Sequence, residues 1–398
     1  MKTIKKITAL FTAVMMMMSF SACGNTEDTA ETAAETESQT EAPAEGDASS
    51  EGLSAPVFTS DGSAKVTIEG NTFLVGGNEL WINGVNTPWD NWNDFGSNNF
   101  DADFWDSHFA ELEEAGINAS RVWINCSPSM NGVWLKSTGE VKSINDKHWQ
   151  DVDTLMQTAE KHHIYIMATL ISFDHFKDSN TGYDSWRAML NSDEASDSFV
   201  NEYVIPFCER YDSCDYLWSI DLCNEPDWIK ENAECGQIGF DRISDYFAKA
   251  AAAIHEHSDI LVTVGMGMVK YNSDGYDGNY VSDEFLQSLS GNENSYLDFY
   301  STHYYSWQKS YMGFPFDGNP EAFKLDGSKP CVIGETSANA DSGWTLTEEY
   351  EGALNNGWQG VMAWTSNGVD DCGDLSYIKP AAARIMELAP EKVHPWES

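Results

Sequence analysis

A chain of 398 residues that is 41% hydrophobic and 13% aromatic, with 15 tryptophans, holds ample apolar material for one large core. It fits a single domain of about 250 residues or more with long loops. The formal net charge of -42 excludes a phosphate backbone as partner, because nucleic acid is held by clusters of Lys and Arg that are missing here. A neutral polysaccharide is compatible with that charge.

Residues 1–22 read as an export signal: Lys2, Lys5 and Lys6, then the apolar run ITALFTAVMMMMSF, then Ser21 and Ala22 before Cys23. The apolar run is too short to span a membrane comfortably, and small residues close it. FSAC resembles a bacterial lipobox, which implies that Cys23 is the lipidated first residue of the mature chain. An ordinary secretory signal with an incidental Cys is the alternative. Residues 24–55 carry nine acidic residues with no Lys, Arg or aromatic. Such a stretch buries too little apolar surface to offset its ordering entropy, and its like charges repel. The expectation is a disordered linker over 23–55, with a globular domain over 56–398.

The domain opens with KVTIEGNTFLVGGNELWINGVN, which reads as two short strands turned at Gly70-Asn71 and a strand over 81–86. Helix and strand signals then alternate. Helix 102–115 is followed by strand 118–124, helix 148–162, strand 164–171, helix 196–211 and strand 216–223. Helix 239–257, strand 260–266, helix 282–289 and strand 297–302 come next. A short helix 319–325, strand 330–334, helix 345–356, strand 359–364 and helix 377–388 complete the series. Alternation of this kind predicts a parallel sheet covered by helices, and eight repeats close it. The fold class is α/β, a (β/α)8 TIM barrel, with no internal sequence repeat and no second domain.

Two stretches carry chemistry. WSIDLCNE at 218–225 is an apolar strand that stops at Asn224, Glu225 and Pro226, and KPCVIGET at 329–336 is another that ends on Glu335. In a barrel of parallel strands the reactive groups sit where strands end, so two carboxylates at two strand ends suggest a glycosidase pair. Either match alone is weak, since a glutamate after a strand is usually a solvated cap or an ion-pair partner. Further landmarks accompany them: Arg121 inside the strand INASRVWI, STHYYSW at 301–307, and VMAW ending on Trp364.

Taken as an ordered set over residues 65–390, these landmarks resemble glycoside hydrolase family 5, the cellulase and β-mannanase superfamily of retaining (β/α)8 enzymes. The resemblance implies a small hairpin closing the barrel bottom before the first barrel strand. It implies Glu225 as acid/base and Glu335 as nucleophile, roughly 5 to 5.5 Å apart. The acid must hold a proton near neutral pH while the nucleophile stays ionised, and Arg121 is placed to keep Glu335 charged. By the same resemblance Asn224 bonds the sugar 2-hydroxyl, His303 lines the cleft, Tyr305 bonds Glu335, and Trp364 is the platform beneath the sugar. Each has a bland counterpart: Arg121 as a core ion pair with Asp221, His303 as a core histidine, Trp364 as packing. Asp221 reads as structural.

The loops after the strands are rich in tryptophan: Trp89, Trp92, Trp134, Trp186, Trp228 and Trp307. Sugar rings stack their C–H faces on indole, so such residues suggest subsites, with Trp89 and Trp92 the best candidates. Burial under long loops is expected for about half of them. At the end of strand 3 many family endoglucanases show a histidine, whereas this chain has Phe173 there and His175 two residues on. Arg-Val-Trp at 121–123 looks more like the β-mannanase branch, which favours mannan or glucomannan over cellulose.

No cofactor and no metal is expected: NSDGYDGNY at 272–280 lacks the terminal Glu of a calcium loop, and no CxxC pair suggests zinc. Seven cysteines follow Cys23, an odd number, with a Cys208–Cys214 disulfide left open. Two functions from different classes stand: an exported, membrane-anchored, monomeric endo-β-1,4-glycanase, with mannan first and glucan second, or a surface glycan-binding lipoprotein without turnover.

Overall fold

The computed structural model describes residues 53–126 and 132–397. The expected signal peptide, Cys23 and all but the last three residues of the expected linker lie outside the described residues. Eight parallel strands close a barrel in sequential order: β1 (Ile82–Asn86), β2 (Ala119–Trp123), β3 (Tyr165–Thr169), β4 (Leu217–Asn224), β5 (Leu261–Met266), β6 (Tyr300–His303), β7 (Cys331–Ser337) and β8 (Gly360–Trp364). β8 pairs back onto β1, with Trp364 opposite Asn86, and Asn86 is opposite Arg121 on β2. Every residue of these strands is buried, as strands covered by helices outside and packed side chains inside must be. The expected (β/α)8 barrel is the observed fold.

The barrel floor is closed by an antiparallel sheet of Val66–Glu69, Thr72–Val75 and Asn78–Leu80. Its third strand was not separated by the sequence reading, which ran from the first hairpin directly into the barrel. Gly76 and Gly77 both take positive φ, 58° and 87°, and turn the chain back a second time. Phe73 seals the floor by meeting Trp218 and Phe299 edge-on, each with ring centroids 5.2 Å away, at the entries of β4 and β6.

The chain is attached to this floor before residue 56. Leu53 packs against the core, and Arg210 donates to the Ser54 carbonyl at 2.9 Å. The Glu160 carboxylate accepts from the Thr59 and Ser60 amides and the Ser60 hydroxyl, and Asp215 accepts from Gly62 and Ala64.

Three element expectations need correction. Residues 319–325 form turns rather than a helix: Asn319 caps a start and its carbonyl accepts the Phe323 amide, but Lys324 takes φ 74°, which ends the run after one turn. The helix expected over 196–211 begins at Asp193 and widens into a π turn over Val200–Val204, where the Ile205 amide bonds the Val200 carbonyl. Pro206 removes a donor just beyond, and the ladder shifts by one residue to accommodate it. β6 spans Tyr300–His303 rather than 297–302, which puts His303 inside the strand end. All seven cysteines among the described residues are buried, and Cys208 and Cys214 are free thiols with no bond between them.

Candidate active site

The C-terminal ends of the strands deliver a ring of polar side chains into an otherwise apolar barrel. Asn86 ends β1, Arg121 lies in β2, Thr169 ends β3, Asp221 and Asn224 lie on β4, His303 ends β6 and Glu335 is on β7. Register shifts between Thr302 and His303 and between Ile333 and Thr336 turn the last residues of β6 and β7 toward the mouth.

Arg121 is the hub of this ring. It is fully buried, and Nη1 donates to Glu335 Oε1 at 2.7 Å and to Asn86 Oδ1 at 3.1 Å. Nε and Nη2 donate to Asp221 Oδ2 at 3.0 and 2.8 Å, and Nη2 also reaches Asn224 Oδ1 at 2.7 Å. The sequence posed Asp221 and Glu335 as alternative partners, and the guanidinium fork takes both. Asp221 is held in turn by the Thr169 hydroxyl at 2.9 Å and the Gly265 amide at 2.8 Å. Gly265 has to lack a side chain, since a Cβ there would lie 2.8 Å from Arg121 Nη2 and 3.0 Å from His303 Nε2.

Glu225 and Glu335 converge on one ring nitrogen of His303. His303 Nδ1 is 2.9 Å from Glu225 Oε1 and 3.4 Å from Glu335 Oε1. The two carboxyls differ in their partners. Glu335 accepts two strong bonds, from Arg121 and from the Tyr305 hydroxyl at 2.7 Å, whereas Glu225 accepts the Trp228 indole N–H at 2.9 Å. Burial pushes Glu225 up to about 7, with Trp228 and Arg121 pulling the other way. Burial also raises Glu335 above the usual carboxylate range, against the downward pull of His303 and Arg121. The Arg121 effect expected from the sequence is present but does not outweigh burial. Burial pushes His303 down to about 4, so its imidazole is neutral at pH 7. Glu225 sits at φ 47°, a left-handed backbone that lifts its side chain off the end of β4.

Asn224 turns its oxygen to Arg121 and its amide nitrogen toward Ser172 Oγ at 3.3 Å. Trp364 is 5% exposed and packs with Trp123 at 5.7 Å, with Trp89 lying over both at 6.2 and 5.1 Å. Trp92 meets Trp89 edge-on at 4.8 Å and is 41% exposed. A second aromatic pair, Trp228 and Trp307, lies beside Glu225 with ring centroids 6.3 Å apart. Trp186 is buried against His175 instead of lining the mouth. His175 itself is buried and bonds Ser172, so the end of strand 3 offers the mouth Asp174 and Lys177, paired at 2.6 Å, and no histidine. Residues 272–280 form a small hairpin.

Sequence reasoning missed Asn86, whose only signal was its place at the end of an apolar strand, and Trp228 as a partner of Glu225, signalled by its spacing three residues on. Glu225, His303 and Glu335 offer donor atoms all within 4.8 Å of one another, a set that could hold a metal ion. The Arg121 guanidinium, bonded to Glu335, already places a permanent cation against that space. What the arrangement can do chemically is hold two carboxyls a few ångströms apart, one bonded by a guanidinium and a phenol, the other by an indole and an imidazole.

No protein-family profile matches the chain. It is 25% identical over 357 residues to a mannan endo-1,4-β-mannosidase of Cryptopygus antarcticus, covering 81% of this chain and 89% of that protein. The β-mannanase of the blue mussel Mytilus edulis superimposes with a TM-score of 0.71 at 20% identity, over 81% of this chain and 96% of that one. A glycoside hydrolase family 5 mannosidase of Rhizomucor miehei gives a TM-score of 0.51 at 16% identity, over 83% of this chain and all of that one. Through likeness in sequence and in fold, the chain's resemblance to glycoside hydrolase family 5 is borne out.

Proposed function

We propose that the protein is a retaining endo-β-1,4-mannanase in which Glu225 is the acid/base and Glu335 the nucleophile. The observation that carries this reading is the spacing of the pair: oxygens of the two carboxyls lie within 4.8 Å of each other, both beside His303 Nδ1. Retaining glycosidases hold their carboxyls about 5 to 5.5 Å apart, whereas inverting ones leave about 6.5 to 9.5 Å for a water. Glu335, with a guanidinium and a phenol as donors, suits the ionised role. Glu225, raised to about 7, suits holding a proton.

In the first step Glu335 attacks the anomeric carbon while Glu225 gives its proton to the leaving oxygen. In the second, Glu225 takes a proton from water, which displaces Glu335 and restores the starting configuration. Tyr305 and Arg121 hold the nucleophile, Asn224 offers its amide nitrogen to the sugar 2-oxygen, and Trp364, Trp89 and Trp92 stack the glycone side. Mannan as substrate rests on the mannanases that the chain resembles over four fifths of its length. Reducing-sugar release from mannan, glucomannan, xylan and carboxymethylcellulose tests this. Mannan as the best substrate is expected, preferential release from carboxymethylcellulose would make the enzyme a glucanase, and binding without release would leave only the glycan-binding reading.

Export and lipidation at Cys23 belong to the same proposal, supported by the lysines, apolar run and FSAC at the N terminus. Palmitate labelling of the full chain that disappears in Cys23→Ser is the expected result, and labelling that persists would refute it.

A further inference from the structure

Glu225 leans on the backbone of a single residue. A Cβ built on Gly267, just past the end of β5, would lie 3.2 Å from Glu225 Cδ and Cγ, so the carboxyl arm rests flat against bare backbone. That backbone is fixed from both directions by fully buried side chains outside the pair itself. Asp227 Oδ2 accepts the Gly267 N–H at 2.7 Å, and Gln308 Nε2 donates to the Gly267 carbonyl at 2.9 Å. Asp227 opens the short helix Asp227–Glu231 two residues after Glu225, and Gln308 closes the turn Ser306–Gln308 that follows β6. The tops of β4, β5 and β6 are thereby locked to one another behind the same side chain. Glu225 adds its own bond to this corner, its amide donating to the Gly265 carbonyl at 2.7 Å.

Resting on the reading of Glu225 as the acid/base, we propose that Asp227 and Gln308 are positioning residues for proton transfer: they pin the Gly267 peptide that aims the Glu225 carboxyl at the leaving oxygen. Proton delivery needs the acid within hydrogen-bond reach of that oxygen, so a carboxyl free to swing loses efficiency even though it remains present and protonated. Attack by Glu335 does not depend on the peptide. Asp227 is suited to this use, because burial pushes it up to about 8 and a neutral carboxyl can accept the amide without placing a second negative charge beside Glu225.

The two steps can be separated by the leaving group. For the full-length protein and its Asp227→Ala, Asp227→Asn and Gln308→Leu variants, kcat/KM is measured on mannan, whose leaving oxygen needs a proton, and on a dinitrophenyl β-mannobioside, whose leaving group does not. Asp227→Ala and Gln308→Leu are expected to lose roughly 10- to 100-fold on mannan, a part of the usual general-acid contribution, and less than about 3-fold on the aryl substrate. Asp227→Asn, whose amide oxygen can accept the same N–H, is expected within about 3-fold of wild type on both. A loss shared equally by both substrates, an Asn variant as poor as Ala, or full mannan activity in Gln308→Leu overturns the proposal. Gln308→Leu keeps the test decisive should Asp227→Ala fail to melt cooperatively. A wild type inert on both substrates would instead sink the reading of the site itself, and this inference with it.

Discussion

The two ends of the barrel are built from opposite materials. At the floor, Phe73, Trp218 and Phe299 close the strand entries with aromatic rings, the latter two stacked at 4.9 Å. At the mouth, Arg121, Asp221, Asn224, His303 and Glu335 are as buried as the floor rings yet are polar or ionisable. Burying an ionisable group costs several kcal/mol unless it is bonded on every side, so the mouth is where stability has been given up, and the floor is where apolar packing offsets it. Damage to the two ends should therefore separate activity from stability.

The largest effect is expected at the mouth. Glu335→Ala should abolish retaining turnover, since no covalent intermediate can form. Glu225→Ala should still form that intermediate from an activated aryl mannoside, stall, and be rescued by azide to a glycosyl azide of retained configuration. Aryl glycoside kinetics with the product anomer assigned by NMR checks both, and a retained azide from the Glu335 variant would reverse the assignment. At the floor, Phe73→Ala should cost about 3 to 5 kcal/mol of stability, while kcat on mannan well below the melt changes less than about 2-fold. Calorimetry beside initial rates measures this, and a proportionate loss of kcat would erase the contrast between the ends.

A smaller effect, graded with pH, should appear at both levels. Because Glu225 is raised to about 7 and must carry a proton, kcat/KM on mannan should fall about tenfold per unit above that pH. Stability should fall in the same window. Asp94, Asp227 and Glu349 are raised by burial to about 7, 8 and 7, so the folded state holds their protons more tightly than the unfolded chain. Stability from such groups is fully present below the unfolded carboxylate value and is lost as pH rises through the folded one. His108, His148, His175 and His303, lowered by burial to about 4, act the other way between about 4 and 6.5 and add nothing above it. The melting temperature should thus decline from pH 6.5 to 8.5; a flat or rising profile would mean these carboxyls are ionised in the fold.

The smallest effect concerns the start of the domain. A chain beginning at Pro56 loses the Leu53 contact and the Arg210 bond to Ser54, and should melt a few degrees below one beginning at residue 50 with unchanged activity. Equal melting temperatures would show those contacts to be idle.

The barrel was legible because buried parallel strands and amphipathic helices have different periods, and Glu225 and Glu335 because each interrupts an apolar run at a strand end. The corner behind Glu225 was not legible. Gln308 and Gly267 are ordinary loop residues in sequence, and only the closure of the barrel brings the ends of β4, β5 and β6 together. Likewise the sequence set Asp221 against Glu335 as partners of Arg121, because a one-dimensional reading cannot show that a guanidinium has room for both. Trp186 could not be told from a rim residue in the sequence, since burial of a loop tryptophan depends on what folds over it.

The latch of Thr59, Ser60, Gly62 and Ala64 onto Glu160 and Asp215 also fixes an orientation. It brings the chain in beneath the floor, at the pole farthest from the glutamates. Any upstream tether would therefore join the domain behind its floor and leave the mouth clear for polymers, however freely the domain turns on it. Moving such an attachment to the loops around Trp307 would set the tether at the rim of the cleft itself.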